Sequence, residues 1–230
     1  MFFCPTPILL VIDNALDHGF YRPCDHWSSA AGRTLDSVHP PSGQALPDCD
    51  AYSHVILSGS EASILQRAEW AEEEARWIAE AAKASTRLLG SCWGHQLLAV
   101  ALAGPQAVQR SESPEVGWLQ IWPQGRDPLL PVDPFWCFSS HFDEVRPDAA
   151  AELRILPRSA GCSVGAMRWG EQAIWGIQAH PEVDVEAGKA FLEGGATRWK
   201  NHRELFEGAL AHQPVDDGVA SGLLQHFVAI

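Results

Sequence analysis

Five residues, Gly90-Ser91-Cys92-Trp93-Gly94, stand between the apolar run 86–89 and an apolar stretch from His95 to Ala103 that Gly104-Pro105 stops. An extended segment, a sharp turn and a helix in immediate succession leave few folds open. The form G-x-C-x-G at such a turn is that of a nucleophile elbow with cysteine in the nucleophile position. A turn this tight forces its central residue into an awkward backbone conformation, and flanking glycines remove the clashes. The sulfur then sits over the start of a helix, where free N–H groups and the helix dipole favour a thiolate and, later, an oxyanion. The alternative is a buried cysteine packing as a small hydrophobe.

The rest of the first half repeats the pattern. Residues 8–12 are an apolar run closed by Asp13, and 53–57 another that ends in Ser58-Gly59-Ser60. Both predict parallel strands buried on two faces. Helical spacing of Leu65, Ala68, Ala71, Trp77, Ile78 and Ala81 predicts a helix from Glu61 to about Lys83, with Glu72-Glu73-Glu74 as a solvated face. Residues 14–50, rich in Pro, Gly, His and Asp, carry only a weak pattern that accommodates one short helix and one strand. Strand–helix–strand order implies an α/β fold, a mostly parallel central sheet flanked by helices. In the second half, 117–122, 136–139, 163–169 and 174–178 predict strands between Pro/Gly turns, a small additional antiparallel β portion. A helix from Val185 to Leu192 and a helical tail over about 198–230 complete the chain. With no repeat or linker, residues 1–230 read as a single domain.

Composition narrows the function. The 230 residues carry 16 basic and 29 acidic side chains, a formal charge of −13, which argues against nucleic acid and anionic membranes as partners. Forty-six per cent hydrophobic residues suffice for a full core. The N-terminal apolar run is too short for a signal peptide or a membrane span. The cysteines are scattered without a CxxC pair, so neither a disulfide framework nor a zinc site is expected, and the setting reads as cytoplasmic. The ten tryptophans are dispersed and read as packing residues. Of the ten histidines, His18 and His26 with Asp25 form the nearest candidate metal group, on a loop and without helical spacing. No metal or other cofactor is expected.

A cysteine nucleophile requires a base, and the base an orienting acceptor. The segment Gly176-Ile177-Gln178-Ala179-His180-Pro181-Glu182 supplies both at a strand end, where period-two alternation sends His180 and Glu182 to one side. A carboxylate beside the imidazole fixes its tautomer and stabilises its cation. A surface His next to a solvated Glu is the alternative for the tripeptide in isolation.

The chain resembles the class I glutamine amidotransferases, in particular their free-standing, GMP-synthetase-like members. The resemblance is carried by Leu57-Ser58-Gly59-Ser60, Gly90 through Gln96, Glu115-Val116-Gly117-Trp118, Ser140 through Val145, and Gly176 through Glu182, in the family's order. It implies the family's flavodoxin-like sheet, with Cys92 as nucleophile, His180 as base and Glu182 as its partner. The backbone N–H groups of Gly59 and Trp93 become the oxyanion hole, and Gln96 with the Ser140-His141 backbone holds the substrate. By themselves Gly59 reads as a turn glycine, Gln96 as a helix-surface amide, and Ser140-His141 as a strand-exit turn. The sequence departs from the family pattern after Gly59, where Ser60-Glu61 replace a glycine and a proline. Either the loop is reshaped or Glu61 brings a charge near the substrate's amino group. The activity implied is hydrolysis of the glutamine side-chain amide through a cysteinyl thioester, with ammonia passed to an acceptor on a separate partner. The alternative is a stand-alone γ-glutamyl peptidase or hydrolase using the same residues.

Overall fold

The computed structural model describes residues 8–230; Cys4 lies outside them. The strands are β1 (Leu9–Ile12), β2 (Asp36–Val38), β3 (His54–Leu57), β4 (Arg87–Ser91), β5 (Val108–Pro123), β6 (Phe135–Val145), β7 (Leu153–Ile155), β8 (Pro157–Arg158), β9 (Ala166–Trp169) and β10 (Ile174–Ile177). The helices are α1 (Pro23–Ala31), α2 (Glu69–Lys83), α3 (Trp93–Ala103), α4 (Val185–Arg198), α5 (Arg203–Leu210) and α6 (Ala220–Ala229).

Seven strands form the main sheet in the order β2-β1-β3-β4-β10-β9-β7. From β2 to β10 every pairing is parallel, and β9 and β7 extend the sheet antiparallel. The apolar runs of β1 and β3 are buried along their whole length because helices cover both faces. Alternation sorts them cleanly: Leu10, Ile12, Val55 and Leu57 pack with Ile78 of α2 and Leu97 of α3, while Leu9, Val11 and Ile56 pack with Trp27 of α1 and Phe227 of α6. The α/β architecture is the expected one.

The antiparallel portion is larger than its sequence pattern suggests. β5 and β6 form a long hairpin with an irregularity between Arg110 and Glu115, and β8 adds a third strand. The hairpin joins the main sheet through Phe138, whose carbonyl accepts from the His180 N–H at 2.8 Å.

Two expectations for α2 are corrected. The helix starts at Glu69, because the hydroxyls of Ser60 and Ser63 accept from the N–H groups of Ala62 and Leu65, turns that compete with helix. The run Glu72-Glu73-Glu74 is not uniformly solvated either: Glu74 is fully buried on the stripe of Ala71, Ala75, Ile78 and Ala81. No described helix is long and apolar enough to cross a membrane, and the five described cysteines are all free.

Candidate active site

Cys92 occupies the turn between β4 and α3 with φ 47° and ψ −106°, a conformation rare for any residue but glycine. The surroundings over-determine it. Its N–H donates to the Ile177 carbonyl at 2.8 Å, which ties the elbow to β10, and its carbonyl accepts from the Gln96 N–H at 3.1 Å, the first turn of α3. Gly94 lets the helix start lie against β3, since a Cβ there would sit 2.2 Å from the Leu57 carbonyl oxygen.

The chain beyond β10 brings His180 and Glu182 to the elbow. His180 Nδ1 is 2.9 Å from Glu182 Oε1, with both side chains buried. That contact leaves Nε2 as the imidazole nitrogen for the thiol. Burial works against charge on His180, but the Cys92 sulfur and then the Glu182 carboxylate outweigh it and raise its pKa to about 10. Burial likewise opposes ionisation of Glu182, and the His180 cation with hydrogen bonds from His180 and Tyr21 reverses the effect, so its pKa is lowered. Such mutual stabilisation is how a buried carboxylate–imidazole pair remains charged.

Gly59 follows β3 and lies flat against the imidazole; a Cβ built on it would be 2.5 Å from His180 Cε1. Trp93 opens α3 with its indole buried. The Cys92 thiol points to the Ser140 carbonyl at 3.6 Å and receives the Gln178 amide at 3.7 Å. Gln96 is buried, not a surface amide: its Nε2 donates to the Asp143 carbonyl at 2.6 Å and to Gln178 Oε1 at 3.2 Å. The His141 side chain turns away from the sulfur, pairing with Glu115 Oε2 at 3.1 Å and the Asp143 carbonyl at 3.1 Å. Burial disfavours charge on Glu115, yet hydrogen bonds from His141, Ser159 and the Gly161 N–H lower its pKa. His141 therefore braces the hairpin while its backbone borders the site.

One cavity of about 460 Å³ is lined by Cys92, Trp93, Gln96, Ser140, His141 and His180. Phe142, Arg198 at the end of α4, and Trp199, Lys200 and His202 between α4 and α5 line it as well. Arg198 pairs with Asp17 and Arg110 with Asp143, whereas no acidic partner of Lys200 occurs among the described residues.

Three features complete the site from segments that the sequence leaves open. Tyr21 donates its hydroxyl to Glu182 Oε1 at 2.5 Å from the weakly patterned segment 14–50. The tail builds a wall of the cavity. Glu61, at the departure after Gly59, spends its carboxylate on the N–H groups of Leu16 and Asp17 at 2.8 and 3.2 Å, fixing the loop that carries Tyr21. The suggested grouping of His18, Asp25 and His26 is corrected too. Among the described residues, the three-residue cluster with potential ligand atoms within 4.8 Å is Asp13, His18 and His39. Hydrogen bonds already engage it: His18 meets Asp13 at 3.2 Å and His39 the Ala15 carbonyl at 2.7 Å.

Comparison with known proteins gives the family. The pattern of the family Glutamine amidotransferase class-I matches residues 30–197. A relative from Methanothermobacter thermautotrophicus, a glutamine-hydrolysing GMP synthase subunit, is 32% identical over 183 residues, 76% of this chain and 89% of the relative. Among solved structures, a glutamine amidotransferase from Thermotoga maritima superposes with TM-score 0.71 at 20% identity, covering 96% of this chain and 95% of its own. One from Methylobacillus flagellatus gives 0.72 at 19%, covering 97% and 93%. At those identities the structures speak for the fold alone. The family pattern and the GMP synthase relative together carry the assignment: this chain is an enzyme of the class I glutamine amidotransferase family.

Proposed function

We propose that the chain hydrolyses the side-chain amide of L-glutamine through a thioester on Cys92. The supporting observation is the buried run from Cys92 to His180 to Glu182, in which the sulfur and the carboxylate both favour a proton on the imidazole. The thiol proton passes to His180, and the thiolate attacks the γ-carbonyl. The carbonyl oxygen becomes an oxyanion that accepts from the Gly59 and Trp93 N–H groups. As the C–N bond breaks, His180 returns the proton to the departing ammonia. Water, deprotonated by His180, attacks the thioester. The C–S bond then breaks, and glutamate leaves with the thiolate restored. Gln96 and the Ser140-His141 backbone orient the substrate from the cavity wall.

The ammonia goes to an acceptor on a separate partner. Support for this is that the relative from Methanothermobacter thermautotrophicus is named as one subunit of its synthase. The free cysteines of this chain suit a cytoplasmic setting. The alternative, hydrolysis of γ-glutamyl amines or peptides, is favoured by one observation. The cavity that Cys92 and His180 line is also lined by Arg198 and Lys200, and its volume of about 460 Å³ falls in the range of pockets for molecules larger than one amino acid.

The deciding experiment is glutamate release from L-glutamine and from a panel of γ-glutamyl amides and dipeptides, beside a Cys92→Ala control. Cys92-dependent turnover led by glutamine supports the amidotransferase reading. Faster turnover of the dipeptides moves the assignment to the hydrolase, and absence of turnover on every substrate removes both.

A further inference from the structure

Glu74 is a fully buried carboxyl on α2, distant in sequence from every residue assigned to the reaction. Within the described residues its one hydrogen-bond partner is Asn14, and its Oε2 has none. Burying a carboxyl is costly unless hydrogen bonds offset it, so its single partner is informative.

What it holds is the peptide before the oxyanion-hole glycine. Asn14 Nδ2 donates to Glu74 Oε1 at 3.1 Å and to the Ser58 carbonyl at 3.4 Å, so one amide group bridges the two. The Asn14 N–H donates to Ser58 Oγ at 2.8 Å, and that hydroxyl donates onward to the Gly59 carbonyl at 2.9 Å. Asn14 thus grips Ser58 by carbonyl and side chain at once. The Ser58–Gly59 peptide is planar and trans, so its N–H points opposite to its C=O. Fixing the Ser58 carbonyl toward Asn14 therefore fixes the direction of the Gly59 N–H.

We infer that Glu74, acting through Asn14 and Ser58, is a positioning residue for the Gly59 N–H that receives the oxyanion. The inference rests on the proposed function. Glu74 sets the rotamer and the flip of the Asn14 amide: with an acceptor at Oε1, the NH₂ group faces both Glu74 and the Ser58 carbonyl. Without that acceptor the amide is free to turn, and the Ser58–Gly59 peptide loses its anchor. Burial pushes the Glu74 carboxyl up to about 8, the Asn14 hydrogen bond pulling the other way, so it is largely uncharged at neutral pH. A glutamine side chain is then a close mimic.

The test compares Glu74→Met, which keeps the volume and removes the acceptor, with Glu74→Gln, which keeps an acceptor for Asn14. Two rates are read on each: glutamine turnover, and alkylation of Cys92 by iodoacetamide. Alkylation reports the thiolate at a saturated carbon and forms no oxyanion. The expected result for Glu74→Met is a loss in kcat of about tenfold, with KM and the alkylation rate within about twofold of wild type. Glu74→Gln is expected to stay within about twofold in all three. Should Glu74→Met not fold, Asn14→Ala, which removes the bridging amide, carries the same expectation. Unchanged kcat in the folded variant, or an equal fall in turnover and alkylation, overturns the inference. A wild-type chain lacking Cys92-dependent glutamate release removes the proposed function instead, and the inference with it.

Discussion

The Tyr21 hydroxyl and His180 Nδ1 converge on the same oxygen, Glu182 Oε1, at 2.5 and 2.9 Å. Ser91 reaches it as well, at 3.4 Å, from the residue before the nucleophile. The carboxylate that orients the imidazole is thus itself oriented from two sides. Tyr21 braces this pair although it lies outside the matched span 30–197. Burial, with Glu182 next, raises the Tyr21 pKa well above its ordinary value, so it is a donor at every working pH.

Tyr21→Phe removes one charge-assisted hydrogen bond and leaves the ring packing of Tyr21 against Phe191. The expected outcome is a fall in kcat of about tenfold, at the low end of what such a bond contributes, with KM little changed. Steady-state kinetics on a variant with wild-type circular dichroism checks this. An unaltered kcat would mean that His180 needs no help beyond Glu182.

The state of His180 can be read directly. Its folded pKa of about 10 lies above the ordinary 6.5. Its contribution to stability is therefore complete below pH 6.5 and is lost as pH rises through about 10. Cys92→Ala removes the stronger of the two groups that raise it, so the imidazole should titrate lower than in wild type. NMR titration of the histidine ring carbons in both proteins measures the shift. Equal midpoints would show that the sulfur carries no charge beside the ring.

Glu74 departs from the usual behaviour of a carboxylate. Its folded pKa of about 8 exceeds the ordinary 4.5, so only the folded state holds the proton in that window and stability falls as pH rises across it. Glu74→Gln abolishes the effect. Thermal melts of the two proteins should coincide at acidic pH and separate in favour of the variant toward pH 8. A gap that is independent of pH would contradict burial as the cause.

Gly59→Ala should damage catalysis more than folding. The glycine has no left-handed φ, so alanine suits its backbone, but the new Cβ falls 2.5 Å from His180 Cε1 and 3.2 Å from the Tyr21 hydroxyl. The imidazole must move. A loss in kcat of about a hundredfold or more is expected, with a melting temperature close to wild type, since reacting groups tolerate little displacement. Retained turnover would place the ring in a different working position.

Chemistry that depends on neighbours in sequence is legible without any coordinates. The elbow around Cys92 announces itself through its glycines, and the pair His180 and Glu182 through strand alternation. The buried strands are legible for the same reason, since runs such as Leu9–Ile12 admit few other readings. Relationships between segments far apart in the chain are not. Tyr21 sits in a stretch without periodicity, and its bond to Glu182 spans 161 residues. Glu74 is hidden by company, two acids preceding it in a run that suggests solvent. Its own spacing from Ala71, Ala75 and Ile78 is nevertheless that of a core face. The loop at Glu61 reads as helix because serine hydroxyls, not residue propensity, decide its path.

The wall of the cavity built by Arg198, Trp199, Lys200 and His202 begins where the matched span ends. The cavity is thus lined both by residues inside the matched span and by a stretch that follows it. One stretch is anchored in the sheet; the other is held by Trp199, which stacks on Phe191 and Phe206. Exchanging residues 198–202 between family members would alter the lining of the cavity while leaving the elbow around Cys92 as it is.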